Sequence, residues 1–341
     1  MAKRIILKSP DRKYSGQLYS TVDLCCGVGG IRLAFERTRR VKNVFSADID
    51  PSARKVYEAN FGDMPDGDFL ALNPASLPAH DILLGGFPCQ AFSTAGKRKG
   101  FQDPRGNVFF GIAEIIAAHR PAAAVLENVK GLASHDGGHT LNVILRTLHG
   151  LGYDVRRQII DARSFGAPQK RARIYLVALR RDLNIDFSFP QGKSSAGAVG
   201  DFLEPAVDAK YWLSPTLLAS MEERTARNAA KGNGFGMVVL DLAEPANTLT
   251  CGGSGRERNL VVDRNVPADA TVNTRLLRRL TPREFARLQG FPDSFDIPVK
   301  DSPAYRLMGN SVAVPVVAAI AHNLVAALDA AFNPCAARKA A

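Results

Sequence analysis

The stretch Leu83-Leu84-Gly85-Gly86-Phe87-Pro88-Cys89-Gln90-Ala91-Phe92-Ser93 runs an apolar segment straight into a turn that contains a proline and a cysteine. The apolar part predicts a buried strand, and the proline fixes the backbone just before the thiol. In open α/β sheets, ligands and reacting groups collect at the carboxyl ends of the strands. The stretch therefore favours a reactive thiol at Cys89 over a buried structural cysteine, which is the usual interpretation of a lone cysteine.

A second strand end carries a carboxylate. Glu127-Asn128-Val129 follows the apolar run of residues 122–126. We expect both strands to end at the same edge of the sheet, where the thiol and the carboxylate can converge on one ligand.

The first half of the chain alternates strands with helical stretches, which is typical of a mainly parallel sheet built from βαβ units. The pattern predicts an α/β fold with strands at residues 18–24, 44–48, 81–84, 123–126, 155–160 and 173–179.

From about residue 184 this alternation gives way to Pro, Gly and Ser with short apolar runs. Helical order returns at Thr281-Pro282-Arg283-Glu284, which predicts a capping box with proline in the first helical position and a stop at Gly290. We therefore predict a catalytic domain made of residues 1–183 and 276–341, interrupted by a smaller irregular domain of residues 184–275.

Near the carboxyl end, residues 312–332 are rich in Ala and Val. Pro315, His322, Asn323 and Asp329 interrupt this run, which favours a packed helix over a membrane span. The amino terminus is basic but is not followed by a secretory apolar core.

The 341 residues carry a formal net charge of +11, which indicates a polyanionic partner, with a merely soluble surface as the alternative. Residues 184–275 contain nine Lys/Arg and eleven Asp/Glu, so that segment is at −2 and the remainder carries +13. Five cysteines show neither a paired disulfide spacing nor a zinc pattern. A reducing cytoplasm and the absence of a metal site are therefore expected.

A glycine turn, Gly27-Val28-Gly29-Gly30, follows the first predicted strand and lets backbone amides approach a ligand. Asp48 ends the second strand, where an acid can accept both hydroxyls of a ribose. The turn lacks the GxGxxG spacing of dinucleotide-binding proteins.

Six elements of the chain resemble, in order, the motifs of DNA (cytosine-5)-methyltransferases. They are the cofactor loop (residues 23–30), the nucleophile motif (86–90), the cytosine-binding motif (127–129), the Gln-x-Arg-x-Arg element (169–173), the penultimate motif (279–292) and the last motif (309–312).

The resemblance implies a Rossmann-like S-adenosylmethionine-dependent methyltransferase sheet with an inserted target-recognition domain. The implied cofactor is S-adenosyl-L-methionine, and its expected binding residues are Asp23, Cys25, Gly27, Val28, Gly29, Gly30, Asp48, Ile49, Asp68, Phe69, Pro88, Val108, Asn310 and Val312. Of these, Ile49 would lie against the adenine, with Asp68 and Phe69 at its amino edge. The family usually has Phe where Cys25 stands, which implies that an aromatic wall beside the cofactor is missing.

The resemblance also implies the chemistry. Cys89 would add to C6 of cytosine and raise the electron density at C5, which then takes the methyl group. Glu127 would hold or donate a proton at N3, and Arg173 would grip O2. The implied catalytic set also includes Gln90, Asn128 as the residue that positions the loop, and Arg171 as a phosphate contact.

The target base is stacked inside the duplex, so it must be flipped into the pocket. Residues 92–100 predict a closing loop there, with a simple solvated turn as the alternative. The expected DNA-binding residues are Ser93, Lys97, Lys231, Arg256 and Arg258. The two arginines lie in the predicted target-recognition domain and are candidates for pairing with guanine. A nearby glycine-rich loop, residues 231–236, resembles that of some enzymes acting on CCWGG-like sites.

We expect a site-specific enzyme of bacterial type that acts on double-stranded DNA as a monomer. It would work beside a cognate restriction endonuclease or as an orphan, in the cytoplasm and associated with the nucleoid. A tRNA cytosine-5 methyltransferase and a catalytically silent DNA-binding regulator remain open alternatives. A cysteine protease would need a histidine base, and none of the six histidines lies in a partner motif. A nucleotide oxidoreductase leaves the Pro-Cys-Gln turn unexplained.

Overall fold

The computed structural model describes residues 18–87, 107–192, 195–234, 236–251 and 256–332. Five predicted site residues lie outside these ranges: Pro88, Cys89, Gln90, Ser93 and Lys97. The strands are β1 (Tyr19–Leu24), β2 (Val41–Ala47), β3 (Ile82–Gly86), β4 (Ala123–Val129), β5 (Tyr153–Asp161), β6 (Ala172–Arg180), β7 (Leu260–Val262) and β8 (Leu277–Arg279). The described α-helices are α1 (Gly30–Glu36), α2 (Pro51–Phe61), α3 (Asn107–His119), α4 (His139–Gly150), α5 (Pro215–Ala230), α6 (Pro282–Leu288), α7 (Asp301–Asn310) and α8 (Val314–Phe332).

Six strands form one sheet in the order β2-β1-β3-β4-β6-β5. Strands β1 to β4 run parallel, whereas β6 runs antiparallel to both of its neighbours. The predicted α/β class and all six predicted strands are confirmed.

Successive residues of each strand point to opposite faces of the sheet and enter two separate cores. Leu84 and Val125 join the core that includes α1 and α8, whereas Leu83 and Ala124 join the core that includes α3 and α4. Both faces of the sheet are therefore covered, which is why its central strands are apolar on both sides.

Helix α8 is long and apolar enough to cross a membrane, with 19 residues and a mean hydropathy of 1.6. Its buried face includes Val317, Ile320 and Leu324, which pack in the same core as Phe35 of α1. The predicted packed helix is confirmed.

The predicted capping box at the start of α6 is also confirmed. Thr281 Oγ1 accepts a hydrogen bond from the Glu284 backbone, and the Thr281 backbone donates to Glu284 Oε2 at 2.7 Å. Gly290 follows the helix with φ of +85°, and a Cβ there would lie 2.5 Å from Pro315. The stop at Gly290 therefore needs glycine for both its backbone conformation and its space.

The expectation that residues 184–275 are irregular is wrong, because this segment contains the 16-residue helix α5. Ser214 caps it, Pro215 occupies its first turn, and its buried residues are Leu218 and Met221. Such a narrow apolar stripe produces a weak helical periodicity in the sequence.

Strands β7 and β8 pair across the predicted domain boundary, with Val262 opposite Leu277. Arg278 of β8 is fully buried. It forms ion pairs with Asp263, one residue after β7, at 2.7 Å and with Glu284 of α6 at 2.8 Å. The boundary at residue 275 remains a prediction, but it cuts a two-stranded sheet that this ion-pair network stabilises.

His80 is a buried titratable group at the end of the sheet opposite the predicted site. Its Nδ1 lies 2.9 Å from the Pro78 carbonyl oxygen, and its ring packs 4.9 Å from that of His119. Burial lowers the pKa of His80 to about 4. The folded protein therefore keeps this ring neutral at pH values where the unfolded chain binds a proton.

We predict that His80 contributes to acid sensitivity. Its stabilising effect is complete above pH 6.5 and is lost as the pH falls toward 4, a change of about 3 kcal/mol. Urea denaturation at several pH values should show that His80→Gln loses about that much less stability than the wild type over this interval. The exposed His322→Gln is the matched control, and equal acid dependence in all three proteins would contradict the prediction.

Candidate active site

The site is built where β3 and β4 end side by side. Gly86, the last residue of β3, is the register partner of Glu127 on β4. A Cβ at Gly86 would lie 3.9 Å from Glu127 Oε2, so the carboxyl group lies beside the chain as it leaves β3. The predicted convergence of the two strand ends is confirmed for the described residues, whereas Cys89 itself lies outside them.

Glu127 forms an ion pair with Arg173 across the β4–β6 ladder. Arg173 Nε lies 3.3 Å from Glu127 Oε1, and the two side chains are 14% and 12% exposed. They are diagonal neighbours on one face, because Glu127 is the register partner of Tyr175, two residues after Arg173. Burial raises the pKa of Glu127, and the charges of Arg173 and Arg171 oppose this rise. The net direction is upward, because the loss of hydration outweighs the two opposing charges.

Asn128 fixes the backbone on the other side of Glu127. It is 2% exposed, its Nδ2 donates to the Phe87 carbonyl at 3.2 Å, and its Oδ1 accepts from the Val129 backbone at 2.8 Å. The amide therefore ties the end of β4 to the residue that precedes Pro88. This contact supports the predicted positioning role of Asn128.

Arg171 does not lie where a phosphate contact requires it. The side chain is 2% exposed, and its guanidinium donates to the carbonyls of Leu249 at 3.0 Å, Gly309 at 3.2 Å and Ser311. We correct the predicted role accordingly, since a group buried among backbone carbonyls ties segments together. The sequence motif identified this residue but could not show its partners, which lie 78 to 140 positions away.

The segment that carries Arg171 also pairs with residues of the predicted target-recognition domain. The Ala246 backbone donates to Pro168, and Lys170 donates to Ala246, both at 2.8 Å. On the other side, Gln169 Nε2 donates to Gln289 Oε1 at 2.8 Å. Gln169 and Gln289 are fully buried, and no sequence pattern indicates that they meet.

The glycine turn after β1 is closed by Asp48. Its Oδ2 accepts from the Gly27 backbone and its Oδ1 from the Asp50 backbone, each at 2.8 Å. Gly27 has φ of +54° and open space where a side chain would lie. A carboxylate can accept about four hydrogen bonds, so Asp48 retains capacity for two ligand hydroxyls.

The predicted adenine neighbours differ in exposure. Ile49, next to Asp48 in the chain, is 74% exposed and therefore accessible to a ligand. Asp68 is exposed and caps Leu70 at 3.0 Å, while Phe69 is buried. Val108 is partly buried at the start of α3.

The last motif lies against the glycine turn. A Cβ at Gly30 would lie 2.8 Å from Ser311 Oγ and 3.1 Å from Val312, so the two elements touch. Asn310 is exposed, whereas Val28 and Val312 are buried. The structure thus brings together the described cofactor-loop and last-motif residues.

Two predicted cofactor residues have distinct positions. Asp23 is fully buried beneath the turn, and loss of hydration raises its pKa to about 8, although the Arg32 charge opposes this shift. Asp23 has no exposed surface, so any effect on a ligand would be indirect. Cys25 is partly buried and has φ of +51°, and burial raises the pKa of its thiol. It offers a small side chain where the family usually has an aromatic ring.

The described DNA-binding candidates have different surroundings. Arg258 Nη1 donates to the Gly234 carbonyl at 3.0 Å and so contacts the glycine-rich loop of residues 231–236. The Arg256 guanidinium lies 5.2 Å from the centroid of the Tyr305 ring. Lys231 is exposed at the end of α5.

A glycine turn closed by a strand-end acid, beside a sheet with one reversed strand, is the arrangement of an α/β methyltransferase. The family model described as C-5 cytosine-specific DNA methylase matches residues 19–326. The chain belongs to this family and is therefore an enzyme of DNA methylation.

Two curated relatives cover nearly the whole chain. It is 45% identical over 329 residues to the Type II methyltransferase M.HpaII of Haemophilus parainfluenzae, covering 92% of this chain and 91% of the relative. It is 47% identical to the Type II methyltransferase M.NlaX of Neisseria lactamica, covering 92% and 98%. The solved structure of the Entamoeba histolytica methyltransferase EhMeth has a TM-score of 0.73 at 18% identity, covers 92% and 99%, and shares the fold.

Arg171 yields a prediction that separates an internal tie from a phosphate contact. Arg171→Met removes the guanidinium that donates to three carbonyls, of which Ser311 keeps a longer contact of 3.4 Å from Gln289 Nε2. We therefore expect the free energy of unfolding, measured in the absence of DNA, to fall by about 3 kcal/mol. Urea denaturation measures this loss. Arg163→Met, which removes an exposed arginine paired with Asp161, should cost about 1 kcal/mol or less. If Arg171→Met keeps the stability of the wild type but binds DNA more weakly, the predicted phosphate contact is correct and the internal tie is wrong.

Proposed function

We propose that this enzyme is a site-specific DNA (cytosine-5)-methyltransferase in which Cys89 adds to C6 of a flipped-out cytosine. The observation that carries the proposal is the position of Glu127. Its carboxyl group lies beside Gly86, three residues before Cys89, and has a raised pKa. An acid next to a strand-end thiol is suited to protonate a ring nitrogen as the thiolate attacks the neighbouring carbon.

Arg173 has two functions in this proposal. Its ion pair orients Glu127, and its guanidinium also donates to the Ala172 carbonyl at 3.0 Å, which fixes the side chain. The cation can stabilise charge that develops at O2 of the cytosine. Because Arg173 and Glu127 are nearly buried, the attraction between the Arg173 cation and negative charge on O2 is stronger than it would be in water.

S-adenosyl-L-methionine is the methyl donor in this proposal. Asp48, with two accepting positions left, would hold the ribose hydroxyls, and exposed Ile49 would cover one adenine face. The residues present fit this group. The bound cofactor supplies an electrophilic methyl group on sulfonium, and the glycine turn and Asn310 would keep it near the cytosine pocket.

Net charge suggests different roles in DNA binding for the two predicted domains. Residues 184–275, at −2, would choose the sequence, while residues 1–183 and 276–341, at +13, would supply most of the general attraction to DNA. The Type II designation of the relatives supports a restriction-modification setting with a cognate endonuclease. We further propose a monomer that works in the cytoplasm and associates with the nucleoid through DNA.

Methylation-sensitive sequencing of DNA from cells that express the chain tests activity, base and site together. Methylated cytosines in one recurrent sequence are expected. Methyl transfer to tRNA but not to duplex DNA would overturn the proposal.

Cys89→Ser should abolish methyl transfer while DNA binding stays nearly unchanged, because phosphate and groove contacts supply affinity independently of the adduct. Wild type should form a denaturant-resistant complex with a duplex that carries 5-fluorocytosine, since fluorine blocks the final release at C5. The variant should form none. The exposed Cys251→Ser serves as the control, and substantial turnover by Cys89→Ser would refute covalent catalysis.

Asp48→Asn should weaken S-adenosylmethionine binding by about 1 to 3 kcal/mol, the scale for removing a charged hydrogen-bond partner. Calorimetry measures the affinity directly. Asp66→Asn is the matched control, because Asp66 is exposed and its backbone pairs with Ser46 and Asp48. Equal cofactor affinity in Asp48→Asn and wild type would exclude Asp48 from the site.

A further inference from the structure

Arg279 is a partly buried arginine for which the structure provides no acidic partner among the described residues. It ends β8, and its Nε is buried without a hydrogen-bond partner in that part of the chain. Its neighbour Arg278 points to the opposite face of the strand, where it is fully paired with Asp263 and Glu284. The two consecutive arginines therefore differ in environment: the charge of Arg278 is neutralised by internal carboxylates, whereas Arg279 forms no ion pair with the described residues.

Arg256 and Arg279 both lie near Tyr305. The Arg256 guanidinium stacks 5.2 Å from the Tyr305 ring centroid, and Tyr305 donates its hydroxyl proton to the carbonyl of Leu280, the residue after Arg279. Tyr305 thus places both cations around one aromatic side chain. Burial, and then the charge of Arg256, lower the pKa of Arg279, as expected for like charges held together.

The neighbouring acids are already paired with other cations. Glu257, next to Arg256 in the chain, forms an ion pair with Arg224 at 2.6 Å. Asp301, one helical turn before Tyr305, pairs with Lys210 at 3.1 Å. Within the described part of the chain, two guanidinium groups are therefore left close together without a compensating carboxylate, an arrangement suited to an external anion.

We propose that Arg256 and Arg279 together bind one phosphodiester of the DNA backbone, with Tyr305 fixing the distance between them. Two forked guanidinium groups can donate to both free oxygens of one phosphate. This proposal rests on the proposed function, since it takes the ligand to be DNA. It replaces guanine pairing with backbone anchoring for Arg256.

The pair is connected to the active site through one helical turn. Tyr305 lies four residues before Gly309 in α7, and Gly309 is held by Arg171, two residues from Arg173. A Cβ at Gly309 would lie 2.6 Å from the Thr250 backbone, so residues 250 and 309 are in close contact. A phosphate bound by the pair would therefore fix the duplex relative to both the cofactor segment and the cytosine pocket.

The test measures DNA affinity against salt concentration for wild type, Arg279→Gln, Arg256→Gln and the double variant. Fluorescence anisotropy is recorded on the duplex with the methylated sequence and on a scrambled duplex. Near 0.1 M salt, each single variant should bind both duplexes about tenfold more weakly. Arg279→Lys should retain most of the affinity, because the charge remains.

The double variant decides whether one phosphate is shared. The slope of log affinity against log salt falls by about 0.9 for each phosphate that the protein no longer neutralises, so the double variant should show a slope smaller by about one unit. A decrease of about two units means two separate phosphates and overturns the shared site. Each single variant should keep a nearly full slope, because the remaining arginine still neutralises the shared phosphate. A full slope in the double variant overturns the shared site as well, as does an Arg256→Gln defect confined to the methylated sequence.

Two controls separate this inference from its premises. Arg146→Gln removes an exposed arginine from α4 and should leave the slope unchanged, which excludes a simple effect of net charge. Thermal denaturation must show each variant folded, and if Arg279→Gln is not, Arg256→Gln carries the test through an equal loss of affinity on both duplexes. A wild type that methylates DNA while the double variant keeps its slope refutes this site alone. A wild type that transfers no methyl group to DNA refutes the proposed function itself.

Discussion

The buried guanidinium of Arg171 is the group on which the arrangement of the site depends. It donates to carbonyls from the predicted target-recognition domain (Leu249) and from the last motif (Gly309 and Ser311). A buried cation without its acceptors is strongly unfavourable, so these segments are stable next to Arg171 and unstable apart from it. The strand that begins at Ala172 carries this constraint directly to Arg173 and hence to Glu127.

This constraint gives the cofactor and DNA sides of the enzyme a common rigid support. Ser311 contacts the glycine turn at Gly30, while residues 246–249 pair with residues 168–171. Displacing either segment would break its hydrogen bonds to residues 168–171. Energetic coupling between sites travels through such packed and hydrogen-bonded contacts when they have few alternative arrangements.

The sequence predicted what depends on local pattern. Apolar runs separated by helical stretches located all six strands, and Thr281 to Glu284 predicted the capping box, because both signals arise within a few residues. It could not predict the buried position of Arg171, because the partners of this arginine lie 78 to 140 positions away in the chain. It also missed the Arg278 network, because no local pattern shows that Arg278 is buried beside Asp263 and Glu284. Helix α5 was missed because its apolar stripe is narrow. The role of Cys89 rests on the family motif, since the described residues stop one position before Pro88.

The reversed direction of β6 has a topological consequence. Strands β3 and β4 reach the ligand edge with their last residues, so the chain leaves the edge there. Strand β6 runs the other way and arrives with its first residues, so the segment before it, residues 168–171, must already lie at that edge. A single antiparallel strand thus delivers both a side chain to the pocket and a docking segment for the rest of the chain. A parallel strand in the same place would supply the side chain, but the chain before it would approach from the far edge of the sheet.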